Sequence, residues 1–403
     1  MTEPSVLDSA YAWRRLVLSL LIAVIGNVGM WASIVVLPAM QAEFGLDRGD
    51  ASLPYTFTMF GYALGNLLIG RIVDRFGATA ALTGAALVSG AGFALAAVTG
   101  QFWLVCALQL AIGFSTAACF GPLIADISLW FLRRRGIAVA IAASGNYLSG
   151  VVWPIALAGI LASGGWRPAY MALAVISVAG MIPLALTLRR RLPAEAAAQS
   201  DAASSARART AGLAPGPMAW LLGLAGIGCC VAMSMPQVHI VAYCIDLGYG
   251  PVAGGQMLSL MLLGGVGSRL VSGLIADRLG GVRTLLIGSV LQMLALVLYL
   301  PSDGLTSLYL VSLVFGLSQG GIVPSYAVIV REYMPAREAG RRVGFVIMGT
   351  ILGMALGGWL SGWIYDMTGS YRIAFLNGIA WNAMNVGIIL LILLRSTRRP
   401  APA

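Results

Sequence analysis

Arg269 stands inside the apolar stretch 258–276, eight residues before Asp277. At about 1.5 Å per helical residue it lies roughly 12 Å inside the end of that stretch. A permanently charged guanidinium at such depth is costly and reads as a functional position whose partner must be named. No Asp or Glu falls in the middle of any apolar stretch: Asp126, Asp246, Glu332 and Asp366 all lie near stretch ends. A counter-ion missing from the sequence points to an anionic ligand, and the planar guanidinium fork suits a carboxylate, to which it donates two parallel hydrogen bonds. The plain alternative is an arginine that snorkels or bonds backbone carbonyls at a helix break.

His239, the only histidine, belongs to the one side-chain type that ordinarily titrates near neutrality. It lies about two turns inside the Asp246 end of its apolar stretch. Two roles suit it: taking up a proton together with the anion, or donating a hydrogen bond to the substrate. A neutral histidine satisfied by packing near Pro236 is the alternative. Gln237 and Tyr243 fall on either side, and Tyr243, at i+4, shares its face. Further polar or aromatic candidates for lining a ligand cavity are Asn27 with Trp31, Cys119 with Phe120, Asn146 with Tyr147, and Gln319 with Tyr326. Membrane interiors tolerate Asn and Gln mainly where a partner or water satisfies them. For each of these alone, helix packing competes with ligand contact.

The elements that must position these residues follow from composition. Of 403 residues, 59% are hydrophobic and 10% charged, and the mean hydropathy is +0.88. A soluble domain carries roughly a quarter charged residues, so the excess apolar surface must face lipid. Apolar runs between charged or Pro/Gly-marked breaks predict twelve spans, at about 16–40, 52–73, 79–99, 102–130, 137–162, 167–188, 218–245, 252–276, 283–301, 305–330, 343–365 and 373–394. The expected fold is an all-α membrane protein of twelve transmembrane helices in two pseudo-symmetric six-helix bundles, 1–188 and 218–403. Between them, 189–217 reads as a flexible cytoplasmic linker rich in Ala, Ser, Arg and Pro.

The halves repeat. Gly70-Arg71-Ile72-Val73-Asp74-Arg75-Phe76-Gly77 matches Gly273-Leu274-Ile275-Ala276-Asp277-Arg278-Leu279-Gly280 at an offset of 203. Trp166-Arg167-Pro168-Ala169-Tyr170 matches Tyr371-Arg372-Ile373-Ala374-Phe375 at 205, and Arg134-Arg135-Gly136 matches Glu338-Ala339-Gly340 at 204. Duplicated six-helix halves are a transporter plan with the site between them. The offset of 203 makes Asn66 the counterpart of Arg269.

All 25 basic residues are arginine. With both termini cytoplasmic, 21 fall on the inner side, three (Arg48, Arg167, Arg372) outside, and Arg269 remains. That bias accounts for the net charge of +10 without nucleic acid. The five cysteines lie in apolar runs with no metal-ligand spacing, so neither metal, disulfide nor cofactor is expected. No cleaved signal peptide is expected at the N-terminus. No nucleophile–base pair or phosphate loop is present, which argues against an enzyme and leaves no catalytic residue to name. The 51 glycines suit close, sliding helix contacts.

The Gly70–Gly77 loop, its echo at Gly273–Gly280 and the six-plus-six layout resemble the major facilitator superfamily over essentially the whole chain. Finer motifs resemble its bacterial monocarboxylate-porter and oxalate–formate antiporter branch: Tyr11-Ala12-Trp13, Trp130-Phe131 with Arg133-Arg134-Arg135-Gly136, His239-Ile240-Val241-Ala242-Tyr243 with Asp246-Leu247-Gly248, and Ser268-Arg269. The resemblance implies that Arg269 is the substrate-anion ligand. It implies that Asp74, Arg71, Arg75, Asp277 and Arg278 are gating elements, with the loop arginines pairing with acids such as Asp126. Many members carry an acid four positions before this arginine as a proton-coupling partner. Here that position is Gly265, and no lysine occurs anywhere. Proton coupling then falls to His239 with Arg269.

The expected function is secondary transport of small organic monocarboxylates resembling lactate or pyruvate, by proton symport through alternating access. Alternatives are a dicarboxylate or other organic-anion exchanger of the same fold, or a non-transporting ligand sensor. The expected partners are the carboxylate, a proton or counter-anion and the lipid bilayer, with no nucleic acid. A monomer in the bacterial inner membrane is expected.

Overall fold

Hydrocarbon offers no partner for a backbone N–H or C=O, so a chain crossing it must satisfy these groups within each segment, which a helix does. In the computed structural model, which describes residues 7–131, 134–190, 215–334 and 336–397, twelve helical stretches are long and apolar enough to cross a membrane. They are Ala10–Phe44, Arg48–Val73, Ala78–Val98, Phe102–Ile124, Ile137–Gly164, Trp166–Thr187, Pro215–Asp246, Gly250–Ala276, Gly281–Tyr299, Leu305–Val330, Arg342–Thr368 and Tyr371–Arg395. These are called spans one to twelve below. The chain is a multi-pass membrane protein, and all regular structure among the described residues is helical.

Four spans are interrupted where the sequence runs on, span two at Ser52 between the short helix Arg48–Ala51 and Leu53–Phe76. Span one breaks at Asn27, between helices Ala10–Gly26 and Val28–Phe44. Span four breaks after Thr116 into the 3-10 turn Ala117–Cys119 before Gly121–Trp130 resumes. Span ten breaks at Gly320 and Gly321, between Leu305–Gln319 and Ile322–Tyr333. At an offset of 203 Ala117 corresponds to Gly320, so both halves of the repeat carry the same interruption. Each break frees main-chain carbonyls that must find side-chain donors.

Contacts divide the chain into two units: Met1–Ala39 with Phe57–Ala206, and Met40–Thr56 with Arg207–Ala403. Residues 40–56, the end of span one and the start of span two, thus group with the second unit rather than with the first six spans. The expected linker 189–217 lies mostly at 191–214, outside the described residues.

Within each unit one pair of spans is held by glycine against carbonyl. In the first, a Cβ on Gly113 would collide with the Thr58 carbonyl, and one on Gly61 with the Leu110 carbonyl. In the second, a Cβ on Gly316 would collide with the Met261 carbonyl, and one on Gly264 would lie 3.0 Å from the Leu313 oxygen. These are the same contacts at an offset of 203. Gly77 and Gly280 close spans two and eight with φ of 86° and 82°, backbone that a side chain would strain, which is why Asp-Arg-x-Gly recurs at this turn. The first unit is pinned further by a buried chain in which Thr58 Oγ1 donates to Gln109 Oε1 (3.0 Å) and Gln109 Nε2 to Tyr170 Oη (2.6 Å).

Gly316→Val should lower the detergent-solubilised melting temperature by several degrees, the cost of about 1–3 kcal/mol for overpacking at a fixed backbone. Gly387→Ala, where a Cβ meets open space, should leave it unchanged or slightly raised. Thermal unfolding of both purified variants checks the pair.

Candidate functional site

Arg269 lies in span eight, 6% exposed. Its Nε–H donates to the Gly320 carbonyl at 3.2 Å, an oxygen that Pro324, four residues on, has no N–H to meet. The backbone contact foreseen as the plain alternative is therefore present. It fixes the plane in which the terminal nitrogens present their N–H groups. The approach depends on Gly320, because a Cβ there would run into the Gly265 carbonyl of span eight. The residue before Gly320 is Gln319, fully buried, whose Oε1 accepts from Gln237 Nε2 of span seven at 2.8 Å. Sequence reasoning named Arg269 and Gln319 separately, and the fold brings Arg269 to the carbonyl of the residue that follows Gln319.

In the first unit the equivalent break is served by a neutral amide. Asn27 Nδ2 donates to the Cys119 carbonyl at 3.2 Å and to Ala23 at 2.7 Å. Cys119 packs against Gly26, where a Cβ would meet its sulfur, and Phe120 is half-buried beside it. Trp31 Nε1 donates to the main-chain and side-chain oxygens of Asn146 at 2.9 and 3.2 Å, with the Tyr147 ring 6.5 Å away. Asn66, the counterpart of Arg269, donates to Tyr62 O within its own helix. The expected cavity residues of this half thus form two pairs, Asn27 with Cys119 and Trp31 with Asn146.

His239 is buried with both ring nitrogens engaged. Gly358 O, 2.7 Å from Nε2, can only accept, so Nε2 is assigned the hydrogen. Nδ1 then accepts from Tyr371 Oη at 3.2 Å. The Tyr371 oxygen in turn accepts from Arg48 Nη1 at 3.0 Å. Arg48 also donates to Asp246 Oδ1 through Nη2 at 3.0 Å, and lies against the rings of Tyr365 (4.9 Å) and Tyr371 (5.8 Å). Asp366 accepts from the main-chain N–H of Arg48 and of Gly49 at 2.8 and 2.6 Å, capping the short helix Arg48–Ala51 that its own Asp47 leaves uncapped. This network binds residues 40–56 to the second unit. Sequence reasoning placed Arg48 among the outer arginines and missed it as a partner, and Tyr371 went unnoticed as one. The usable signal was Asp246, an acid at the end of span seven on the side where Arg48 was expected. Tyr243 is half-buried, donates to Ser302 O at 3.4 Å and packs on Tyr371 and Phe375. Tyr326 donates to Asn385 Oδ1 at 2.9 Å in a separate buried cluster.

The expected gating elements are placed in part. Arg71, Arg75 and Arg278 are exposed, and Arg75 lies over Phe76 at 5.1 Å. The side chains of Asp74 and Asp277 lie outside the described residues. Asp126 is held by Arg15 of span one, whose Nε and Nη2 donate to its two oxygens at 2.7 and 2.9 Å, where the resemblance implied a loop arginine. Arg15 wins because it is buried between spans one and four, and a desolvated guanidinium requires the carboxylate at hand. Arg15, Asp126, Asn66, Thr83 and Arg190 line an open cavity of about 1080 Å³ in the first unit. Around it the motifs before span one and after span four meet: Tyr11 packs on Trp130 at 5.2 Å and Trp13 on Phe131 at 5.0 Å.

The Major Facilitator Superfamily model matches residues 19–309 and 246–403, and the chain belongs to that superfamily of membrane transporters. Monocarboxylate transporter 13 of Rattus norvegicus is 24% identical over 406 residues, covering 96% of this chain and 90% of that one. Its counterpart in Bos taurus is 26% identical over 344 residues, covering 84% and 78%. MFS transporter asaE of Aspergillus flavus is 22% identical over 300 residues, covering 73% and 66%. Among solved structures, a bacterial homolog of the human lysosomal transporter Spinster, inward-facing and occupied, superposes with a TM-score of 0.72 at 14% identity, covering 98% of this chain and all of that one. The fold is that of the superfamily.

Asp126→Asn should destabilise the protein by about 3 kcal/mol, since it leaves the Arg15 guanidinium buried against a neutral amide. The double variant Arg15→Met, Asp126→Leu should regain much of that loss. A thermal-melting double-mutant cycle measures both.

Proposed function

We propose that this transporter carries small organic monocarboxylates by alternating access, with Arg269 receiving the carboxylate. The supporting observation is a buried guanidinium deep in span eight, oriented through Nε by the carbonyl of a broken helix. Broken helices with charged or main-chain ligands mark transporter binding sites, and bidentate carboxylate capture is what the guanidinium fork does best. Relatives named as monocarboxylate transporters 13 and 11 support the same cargo. Asn27, Trp31, Cys119, Phe120 and Asn146 would shape the first half of the path, and Gln319 and Tyr326 the second. The arginine bias favours an orientation with both termini cytoplasmic.

Proton coupling is assigned to His239. Its hydrogen-bond chain runs in one direction, Arg48 to Tyr371 to Nδ1, with Nε2–H closing on Gly358. A proton taken up at Nδ1 turns the acceptor into a donor. Tyr371 then faces two donors at one oxygen, and a second cation stands beside Arg48. The charged and titratable groups around the ring are Arg48, Asp246, Tyr365, Asp366, Tyr371 and Tyr243. Protonation would weaken the hold on residues 40–56 and so tie proton uptake to opening at that end.

Arg269→Gln should abolish uptake of labelled lactate or pyruvate into proteoliposomes, with at least a hundredfold loss of binding. Arg269→Lys should not restore it, because an ammonium lacks the fork. Full transport by either variant would sink the assignment.

His239→Gln should keep anion exchange and lose accumulation driven by a pH gradient. Undiminished gradient-driven accumulation would remove the proton role while leaving that of Arg269 intact.

A further inference from the structure

Gln237 and Gln319 face each other as buried primary amides, 1% and 0% exposed. A single hydrogen bond joins them, and it leaves Gln237 Oε1 and Gln319 Nε2 without a partner. A buried polar atom left unmet costs more than a made hydrogen bond gains, so a native structure that keeps two side by side calls for an explanation. Turning both amides over exchanges nitrogen for oxygen at each, yet one open donor and one open acceptor remain. The complementarity therefore does not depend on how the amides are assigned. The pair also stands where a ligand is expected, since Gln319 adjoins Gly320, whose carbonyl holds Arg269.

We propose that Gln237 and Gln319 are specificity determinants of the carboxylate site, selecting an acid that also bears a hydroxyl. This rests on the assignment of Arg269 as carboxylate receptor. A hydroxyl is both donor and acceptor: its O–H donates to Gln237 Oε1, and its oxygen accepts from Gln319 Nε2–H. A keto oxygen only accepts and leaves Gln237 Oε1 unmet. An alkyl chain leaves both unmet. A site with buried polar groups rejects an analogue lacking their partner far more strongly than an apolar pocket rejects a change of shape. The site is thus built to prefer a hydroxy acid over the oxo and unsubstituted acids of the same length and charge.

Lactate, pyruvate and propionate, each of three carbons and one negative charge, separate the cases. With the purified full-length chain in proteoliposomes, propionate and pyruvate should compete with labelled lactate at least tenfold more weakly than lactate itself. Gln237→Met and Gln319→Met, made singly, should each bring the three acids to within about threefold, while the affinity for propionate holds. The double variant should melt no lower than the wild type without ligand, because both unmet polar atoms are gone. Equal binding of the three acids by a wild type whose binding still requires Arg269, or an unchanged lactate preference in the Gln variants, would overturn the hydroxyl assignment and leave the monocarboxylate reading standing. Failure of the wild type to bind any of the three would overturn that reading, and this inference with it. Wild-type selectivity alone decides the matter should either variant fold poorly.

Discussion

Burying a guanidinium in a chain made for hydrocarbon is the constraint around which this structure is arranged. Among the described residues three arginines are buried, Arg15, Arg48 and Arg269, and each organises its surroundings. Arg15 takes the carboxylate of Asp126 and ties span one to span four. Arg48 takes Asp246 and stacks between two tyrosines, which draws residues 40–56 onto the second unit. Arg269 Nε donates to the Gly320 carbonyl, an oxygen left open because the residue four on is Pro324, which has no N–H. Even an unbroken helix would leave it open, because the i+4 N–H that would meet it does not exist. The proline thus leaves open the acceptor that the charge uses.

The two halves show how a duplicated frame diverges in chemistry while keeping its mechanics. The glycine-against-carbonyl contacts, the positive-φ turns at Gly77 and Gly280 and the interruptions in spans four and ten recur at one spacing. The donors at the breaks differ: the amide of Asn27 in the first half, the guanidinium of Arg269 in the second. Packing tolerates few alternatives, so the frame is conserved between halves, whereas a single side chain at a break can be exchanged without disturbing it.

Much of this was legible in the sequence because it is local or periodic. Span lengths follow from apolar runs, the repeat from Asp74-Arg75 and Asp277-Arg278, and the depth of Arg269 from its distance to Asp277. What escaped reading is non-local. The pairing of Arg15 with Asp126 joins residues 111 apart, and that of Arg48 with Asp246 joins residues 198 apart. No periodicity reports either. Arg48 looked like one of three outer arginines, since charge bias counts residues without asking where they point. His239 was singled out for its chemistry alone, and its direction of hydrogen bonding became readable only once Gly358 and Tyr371 were seen on its two nitrogens. Gln237 was named only as a neighbour of His239, and its pairing with Gln319 joins residues 82 apart.

The glycine contacts have a mechanical consequence. Where spans eight and ten touch at Gly316 and Gly264, backbone lies on backbone, with no rotamers between them to yield or slide. Two helices so joined form a single stiff beam. Arg269 is fixed to one member of that beam and the Gly320 carbonyl to the other, so the spacing of charge and carbonyl stays constant whatever bending the remaining spans undergo. Charge and carbonyl therefore move as one part, which is what the proposed carboxylate receptor would need.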